Sequence, residues 1–171
     1  MAGPTPPAKR FYDALRAGGV TFATYLPDSV LAPVTDLLEG DPAVRAVVCS
    51  REDEGVAIAV GAYLAGKVGV SLMEGSGLGY CGLILARAML QRTPVLLLVS
   101  HNLVLGEAFD YHGATRLAAA GVASGLHIPH AVVDDPAKIT TMVAGALQTV
   151  RGQKTPVCLF VPGYVMHGAA S

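Results

Sequence analysis

Three carboxylates follow one another at Glu52, Asp53 and Glu54, between one apolar run that ends at Cys49 and another that begins at Val56. Acids at the start of a helix complement its dipole, worth roughly a few tenths of a kcal/mol each. The helix that would follow, from Val56 to Ala65, has almost no polar residue and reads as buried nearly all round. A carboxylate at the mouth of a buried helix is desolvated, which suits it to proton chemistry. Both readings stand on the residues alone.

A second segment, Gly75-Ser76-Gly77-Leu78-Gly79-Tyr80-Cys81-Gly82, contains G-x-G-x-x-G at Gly77, Gly79 and Gly82. A dinucleotide fingerprint belongs after the first strand of its fold, with an acid ending the next strand. Here the glycines follow the third apolar run, and the next one ends in Ser100-His101-Asn102. The glycines are better explained by close backbone approach to a ligand, a partner or a packed neighbour. Of the five histidines, His101 and His112 flank one connection; none forms a metal-ligating pattern such as HExxH. The three cysteines include no CxxC pair, and Cys49 and Cys158 read as buried core thiols. No P-loop, nucleophile elbow or glycosidase-type carboxylate pair is recognisable.

The elements that must position these residues alternate along the chain. Strands are expected over Val20–Leu26, Val44–Cys49, Val68–Met73, Pro94–Ser100, Ala131–Val133 and Val157–Val161. Helices are expected over Phe11–Ala17, from the Pro27-Asp28-Ser29 turn to about Leu38, and over Arg51–Ala65, Tyr80–Leu90, Ala114–Ala123 and Asp135–Val150. Gly18-Gly19 stops the first helix, and Ser29 or Asp28 can cap the second. Continuously apolar strands alternating with helices indicate an α/β domain, a doubly wound parallel sheet of about six strands covered on both faces. Ligands in such sheets sit beyond the carboxyl ends of the strands. That places Pro27–Ser29, Ser50–Glu54, Glu74–Gly79 and His101–His112 where chemistry is expected.

The 171 residues suit one domain, with a core over about 11–161. Charged residues make up 15% and the net charge is -1, which gives no electrostatic reason to expect nucleic acid or an anionic membrane. The mean hydropathy is +0.49, and part of the surface is expected to be apolar because another chain covers it. No apolar run approaches the roughly 20 residues of a membrane helix. Met1–Arg10 lacks the apolar core of a signal peptide, so a cytoplasmic protein is expected.

Three segments together resemble the thiamine-diphosphate-dependent decarboxylases, specifically the phosphonopyruvate and sulfopyruvate decarboxylase group. They are Leu26-Pro27-Asp28-Ser29-Val30-Leu31, the run Arg51–Lys67, and Ser76-Gly77-Leu78-Gly79 followed by Pro94–His101. The resemblance spans about Phe11 to Val161 and implies the pyrimidine-binding domain of that family. It implies that thiamine diphosphate lies between this domain and a diphosphate-binding domain, with a glutamate of this domain on the pyrimidine ring. The cofactor then serves as the electron sink when carbon dioxide leaves a 2-oxo acid. On this resemblance Glu54 is the expected catalytic glutamate, with Glu52 as runner-up, and Ser76, Gly77 and Leu78 line the cofactor. Ser29 and His112 are the expected substrate contacts. The Gly-Asp-Gly and asparagine motif that holds magnesium and diphosphate in the family is missing from this sequence. Mg2+ is therefore expected to be held mainly by a separate diphosphate-binding beta subunit, in a hetero-oligomer acting on a small anionic 2-oxo acid that is phosphonopyruvate- or sulfopyruvate-like. The group more often has glutamine and asparagine where this chain has Glu74 and Gly75. An acid there repels a phosphonate or sulfonate unless it is paired or protonated. A non-catalytic or regulatory subunit of the same fold, or a carboligase component, are the readings that stand beside this one.

Overall fold

The computed structural model describes residues 7–102 and 112–167. Six strands form one all-parallel sheet in the order β2-β1-β3-β4-β6-β5. They are β1 (Phe22–Tyr25), β2 (Arg45–Val48), β3 (Gly69–Glu74), β4 (Leu96–His101), β5 (His130–Val132) and β6 (Val157–Pro162). The helices are α1 (Pro7–Ala17), α2 (Ala32–Glu39), α3 (Glu52–Leu64), α4 (Gly82–Gln91), α5 (Gly113–Gly125), α6 (Ile139–Gln153) and the short α7 (Gly163–His167). The doubly wound α/β fold expected from the alternation of apolar strands and helices is the fold observed.

The strands β4 and β6 are buried at every position, as continuously apolar sequences require when helices cover both faces. The edge strands β2 and β5 are short and mostly exposed. On one face α1, α2 and α6 enclose a core built on Phe11, Leu15, Leu38, Leu96, Leu98 and Leu147. On the other, α3, α4 and α5 pack on Val56, Leu78, Leu85, Leu97, Val99 and Phe160. Alternation along β4 sends Leu96 and Leu98 to the first core and Leu97 and Val99 to the second.

Local chemistry fixes the element ends. Gly19 adopts φ +73° after α1, a left-handed conformation that costs glycine little. Asp135 accepts a hydrogen bond from the Ala137 amide (2.7 Å) and opens the turn that leads into α6. Two expectations need correction. The segment Gly75–Cys81 is a 3-10 turn, so Tyr80 belongs to it and α4 starts at Gly82. Nor is α3 buried all round: Ala57, Gly61 and Leu64, one helical stripe, are exposed. The helix has no polar face in its sequence, yet these three positions turn away from the core.

The strand order reverses between β1 and β3, because the chain turns outward to β2 and then crosses back. That reversal opens a crevice at the carboxyl ends of β1 and β3. The loop after β1, the 3-10 turn after β3 and the start of α3 all lie there.

Candidate functional site

The three consecutive acids have three different fates. Asp53 forms an ion pair with Arg51 (3.0 Å), whose guanidinium lies over the Tyr80 ring at 5.4 Å and holds the Asp53 carboxyl below its usual range. Glu54 is exposed, and its Oε2 accepts a hydrogen bond from the Ser50 amide at 2.9 Å. It does at the helix start what an N-terminal acid ordinarily does. Glu52 turns the other way. A Cβ placed on Gly77 would overlap its Cγ, Cδ and Oε1, so Gly77 has to be glycine for Glu52 to lie where it does. Among the described residues no hydrogen bond or ion pair engages the Glu52 carboxylate. The adjacent Cys81 thiol is pushed up to about 12, first by burial and then by the charges of Glu52 and Asp53.

Position follows from packing. Helix α3 lies against β1 and β3 and touches the 3-10 turn. It can approach closely because Gly55 presents no side chain to Thr24, Ser71 and Cys49. Buried Thr24 donates its hydroxyl to the Gly55 carbonyl at 2.9 Å and fixes the start of the helix over β1.

A second cluster surrounds Glu74, the last residue of β3. Its Oε2 accepts from the Ser76 amide (2.7 Å) and from the Ser76 hydroxyl; its Oε1 accepts from Thr115 Oγ1 (2.5 Å). Asp28 reaches the same edge from the loop after β1. Its Oδ1 accepts from the Leu31 amide (2.8 Å) and its Oδ2 from Ser100 Oγ (3.0 Å). Ser100 stands opposite Glu74 in the β3–β4 register, so the two carboxylates share one end of the sheet. Burial, with the Glu74 charge as a smaller contribution, raises the Asp28 carboxyl above its usual range. His101, at the end of β4, is buried with Nδ1 unpartnered among the described residues. Its ring packs on Phe160 at 5.2 Å, and burial holds its pKa below the usual value.

The remaining expected site residues fall as follows. Ser29 is exposed in the loop after β1; the amide at the start of α2 is taken by Asp28, so Ser29 is not the helix cap. Ser76 is half-buried and committed to Glu74. Leu78 packs its side chain into the core. His112 stands at the N-terminal end of α5, beside residues 103–111 of the expected connection, which lie outside the described residues. Asp28, Ser100 and Thr115 were not singled out in the sequence as site residues. Asp28 carries a signal in its Pro-Asp-Ser turn; Thr115 carries none, because only packing brings α5 to Glu74.

Beside Glu54 an open groove of about 620 Å³ runs between α3 and α4, past Ala57, Leu83 and Arg87. Its walls continue into apolar surface: Leu64 and Leu83 are each 71% exposed and Leu90 86%. Among the described residues no cluster of three or more His, Cys, Asp or Glu is arranged to hold a metal ion, and no helix is long and apolar enough to cross a membrane.

Residues 8–125 match the family described as thiamine pyrophosphate enzyme, N-terminal TPP binding domain. The chain is 33% identical over 128 residues to the sulfopyruvate decarboxylase subunit alpha of Methanothermobacter thermautotrophicus, covering 74% of this chain and 78% of that protein. It is 39% identical over 61 residues to the phosphonopyruvate decarboxylase of Streptomyces viridochromogenes, covering 36% of this chain and only 15% of that protein. Among solved structures, 2-oxoglutarate:ferredoxin oxidoreductase from Magnetococcus marinus superposes with a TM-score of 0.75 at 18% identity, over 95% of this chain and 29% of that one.

Proposed function

The chain belongs to the thiamine pyrophosphate enzymes through its N-terminal-type TPP binding domain, and from that premise we propose that it is the alpha subunit of a decarboxylase of small anionic 2-oxo acids. Its activity is completed by a separate diphosphate-binding beta subunit, which holds the diphosphate and Mg2+. The observation that carries this reading is the Glu52–Gly77 contact at the crevice between β1 and β3. A carboxylate is held against the glycine of a 3-10 turn, without a hydrogen-bond or ion-pair partner among the described residues, where the fold opens to ligands.

These residues fit the pyrimidine end of thiamine diphosphate. Glu52 supplies the carboxyl that hydrogen-bonds the ring. The Ser76–Leu78 backbone lies alongside, and Gly77 keeps the approach open. The resemblance ranks Glu54 first for the ring contact; its exposure and its bond to the Ser50 amide support Glu52 instead. Bound here, the cofactor supplies the electron sink for loss of carbon dioxide. The protein's part is to hold a proton at the Glu52 carboxyl, to orient the ring against the turn and to exclude water. In this reading Ser29, in the loop after β1, and His112, at the start of α5, meet the substrate. The exposed stripe Leu83, Arg87 and Leu90 on α4, beside Ala57 and Leu64 on α3, supports a covering partner. The alpha-subunit relative at 33% identity supports it independently.

The test is carbon dioxide release by this chain with and without a diphosphate-binding polypeptide, in the presence of thiamine diphosphate and Mg2+. Release is expected to require both chains, to vanish in Glu52→Gln and to persist in Glu54→Gln. Turnover by the isolated chain would remove the split-subunit reading.

A further inference from the structure

The 3-10 turn after β3 has glycine at three alternate positions, and each lies against α3 or α5. A Cβ on Gly77 would overlap Glu52 of α3. One on Gly75 would overlap the Thr115 methyl of α5, and one on Gly79 would come to 3.2 Å from the Ala118 Cβ, one turn further along the same helix. The turn is thus packed between the two helices. Packing of this kind sets how closely the elements approach, whereas a hydrogen bond also sets direction.

The directional tie is made by Glu74. Its Oε2 accepts from the Ser76 amide (2.7 Å) and the Ser76 hydroxyl at the start of the turn. Its Oε1 accepts from Thr115 Oγ1 (2.5 Å) in the first turn of α5. Hydrogen bonds to an ionised acceptor are roughly twice as strong as neutral ones, and Thr115 is fully buried. One carboxylate therefore joins Ser76, the neighbour of Gly77, to a helix that opens directly after His112.

Resting on the decarboxylase reading above, we infer that Glu74 and Thr115 are positioning residues, a clasp that holds the cofactor turn Ser76–Leu78 and the start of α5 in one mutual geometry without itself touching cofactor or substrate. The two halves of the clasp serve different ligands. Loss of the Glu74 side chain releases Ser76 and loosens the turn, which weakens thiamine diphosphate binding. Loss of the Thr115 hydroxyl leaves Ser76 bound to Glu74 and frees only the helix start with His112, which impairs use of the 2-oxo acid.

The experiment uses Glu74→Ala, Glu74→Gln, Thr115→Val and Thr115→Ser in the two-chain enzyme. Thiamine diphosphate affinity is read by titration, kcat/KM for sulfopyruvate at saturating cofactor, and the thermal midpoint by calorimetry. Valine keeps the shape of threonine without the donor, and serine restores the donor. Glu74→Ala is expected to weaken the cofactor about tenfold. Thr115→Val is expected to leave cofactor affinity within about twofold and to lower kcat/KM about tenfold, with Thr115→Ser recovering most of the loss. Glu74→Gln is expected to stay near wild type, because its amide oxygen accepts from Ser76 and its N–H donates to the Thr115 hydroxyl. A merely structural role would lower the midpoints and leave affinity and kcat/KM of the folded enzyme at wild-type values, which overturns the assignment. So does a loss of cofactor affinity in Thr115→Val equal to that in Glu74→Ala, a failure of serine to restore, or a tenfold loss in Glu74→Gln. Wild-type uptake and turnover with unmoved variants defeat only the clasp. A wild-type complex that takes up no thiamine diphosphate and turns over no acid defeats the decarboxylase reading and the clasp together. Uptake without turnover defeats the decarboxylase reading, and the affinity of Glu74→Ala still decides the clasp.

Discussion

The two helical layers of this protein differ in how finished they are. On the α1/α2/α6 side the outward faces carry ion pairs such as Lys9–Asp13 (2.7 Å), and the apolar residues turn inward onto Phe11 and Leu15. On the α3/α4 side the inward residues are equally well packed, yet the outward stripes remain apolar, with Leu64, Leu83 and Leu90 each more than two-thirds exposed. The first layer presents a polar outer surface; the second leaves an apolar surface uncovered among the described residues. The residues proposed to meet the cofactor, Glu52 by its side chain and Ser76 to Leu78 by their backbone, lie in α3 and in the 3-10 turn that packs against it. In the proposed assembly chemistry and association share one face, so a partner covering the stripe would also close the crevice to water.

The largest effect expected from this difference is on assembly. The pair of substitutions Leu64→Glu and Leu83→Glu should abolish association with the beta subunit, and with it carbon dioxide release. The thermal midpoint of the isolated chain should be nearly unchanged. Co-purification and calorimetry read the two halves of this statement, and a large drop in midpoint would mean that these residues belong to the core. The next effect lies in the closed layer. Phe11→Ala should destabilise the isolated chain by about 3–5 kcal/mol in urea unfolding, since Phe11 is fully buried. Leu83→Ala should stay within about 0.5 kcal/mol. Gly75→Ala should cost about 1–3 kcal/mol, because the added Cβ meets the Ser100 carbonyl, backbone that cannot yield cheaply. Gly61→Ala, with nothing within 4 Å of its Cβ, should leave the isolated chain as stable or more so.

The smallest effect is a pH dependence. The Asp28 carboxyl binds its proton more tightly in the folded than in the unfolded state, because burial, and to a lesser extent the Glu74 charge, raises it. Its contribution is therefore present below the unfolded value, about 3.9, and is lost as pH rises through the raised folded value. Urea unfolding of Asp28→Asn against wild type should show the variant gaining relative stability over that window. A difference flat in pH would mean that Asp28 is not desolvated.

Much of the fold was legible because its signals are local. Continuous apolar runs give the buried strands β3, β4 and β6, and glycine and proline mark their ends, so the expected boundaries fall within a few residues of those observed. The site was legible only by segment. The resemblance pointed to Arg51–Lys67 and Ser76–Gly79, and those segments meet at the crevice. The choice among Glu52, Asp53 and Glu54 was not readable, because successive helix positions point about 100° apart and the direction of each depends on what α3 packs against.

By itself the sequence determined a parallel α/β sheet, two buried thiols at Cys49 and Cys158, and a cluster of acids and glycines at the carboxyl ends of its strands. Tertiary structure alone decided which acid faces the turn, that Glu74 is clasped by Thr115 from a helix 41 residues away, and that α3 has an uncovered side. The reason is physical. Periodicity and turn chemistry act between near neighbours in sequence, whereas a carboxylate's surroundings and a helix's exposure are set by contacts between elements that the chain brings together only when it folds.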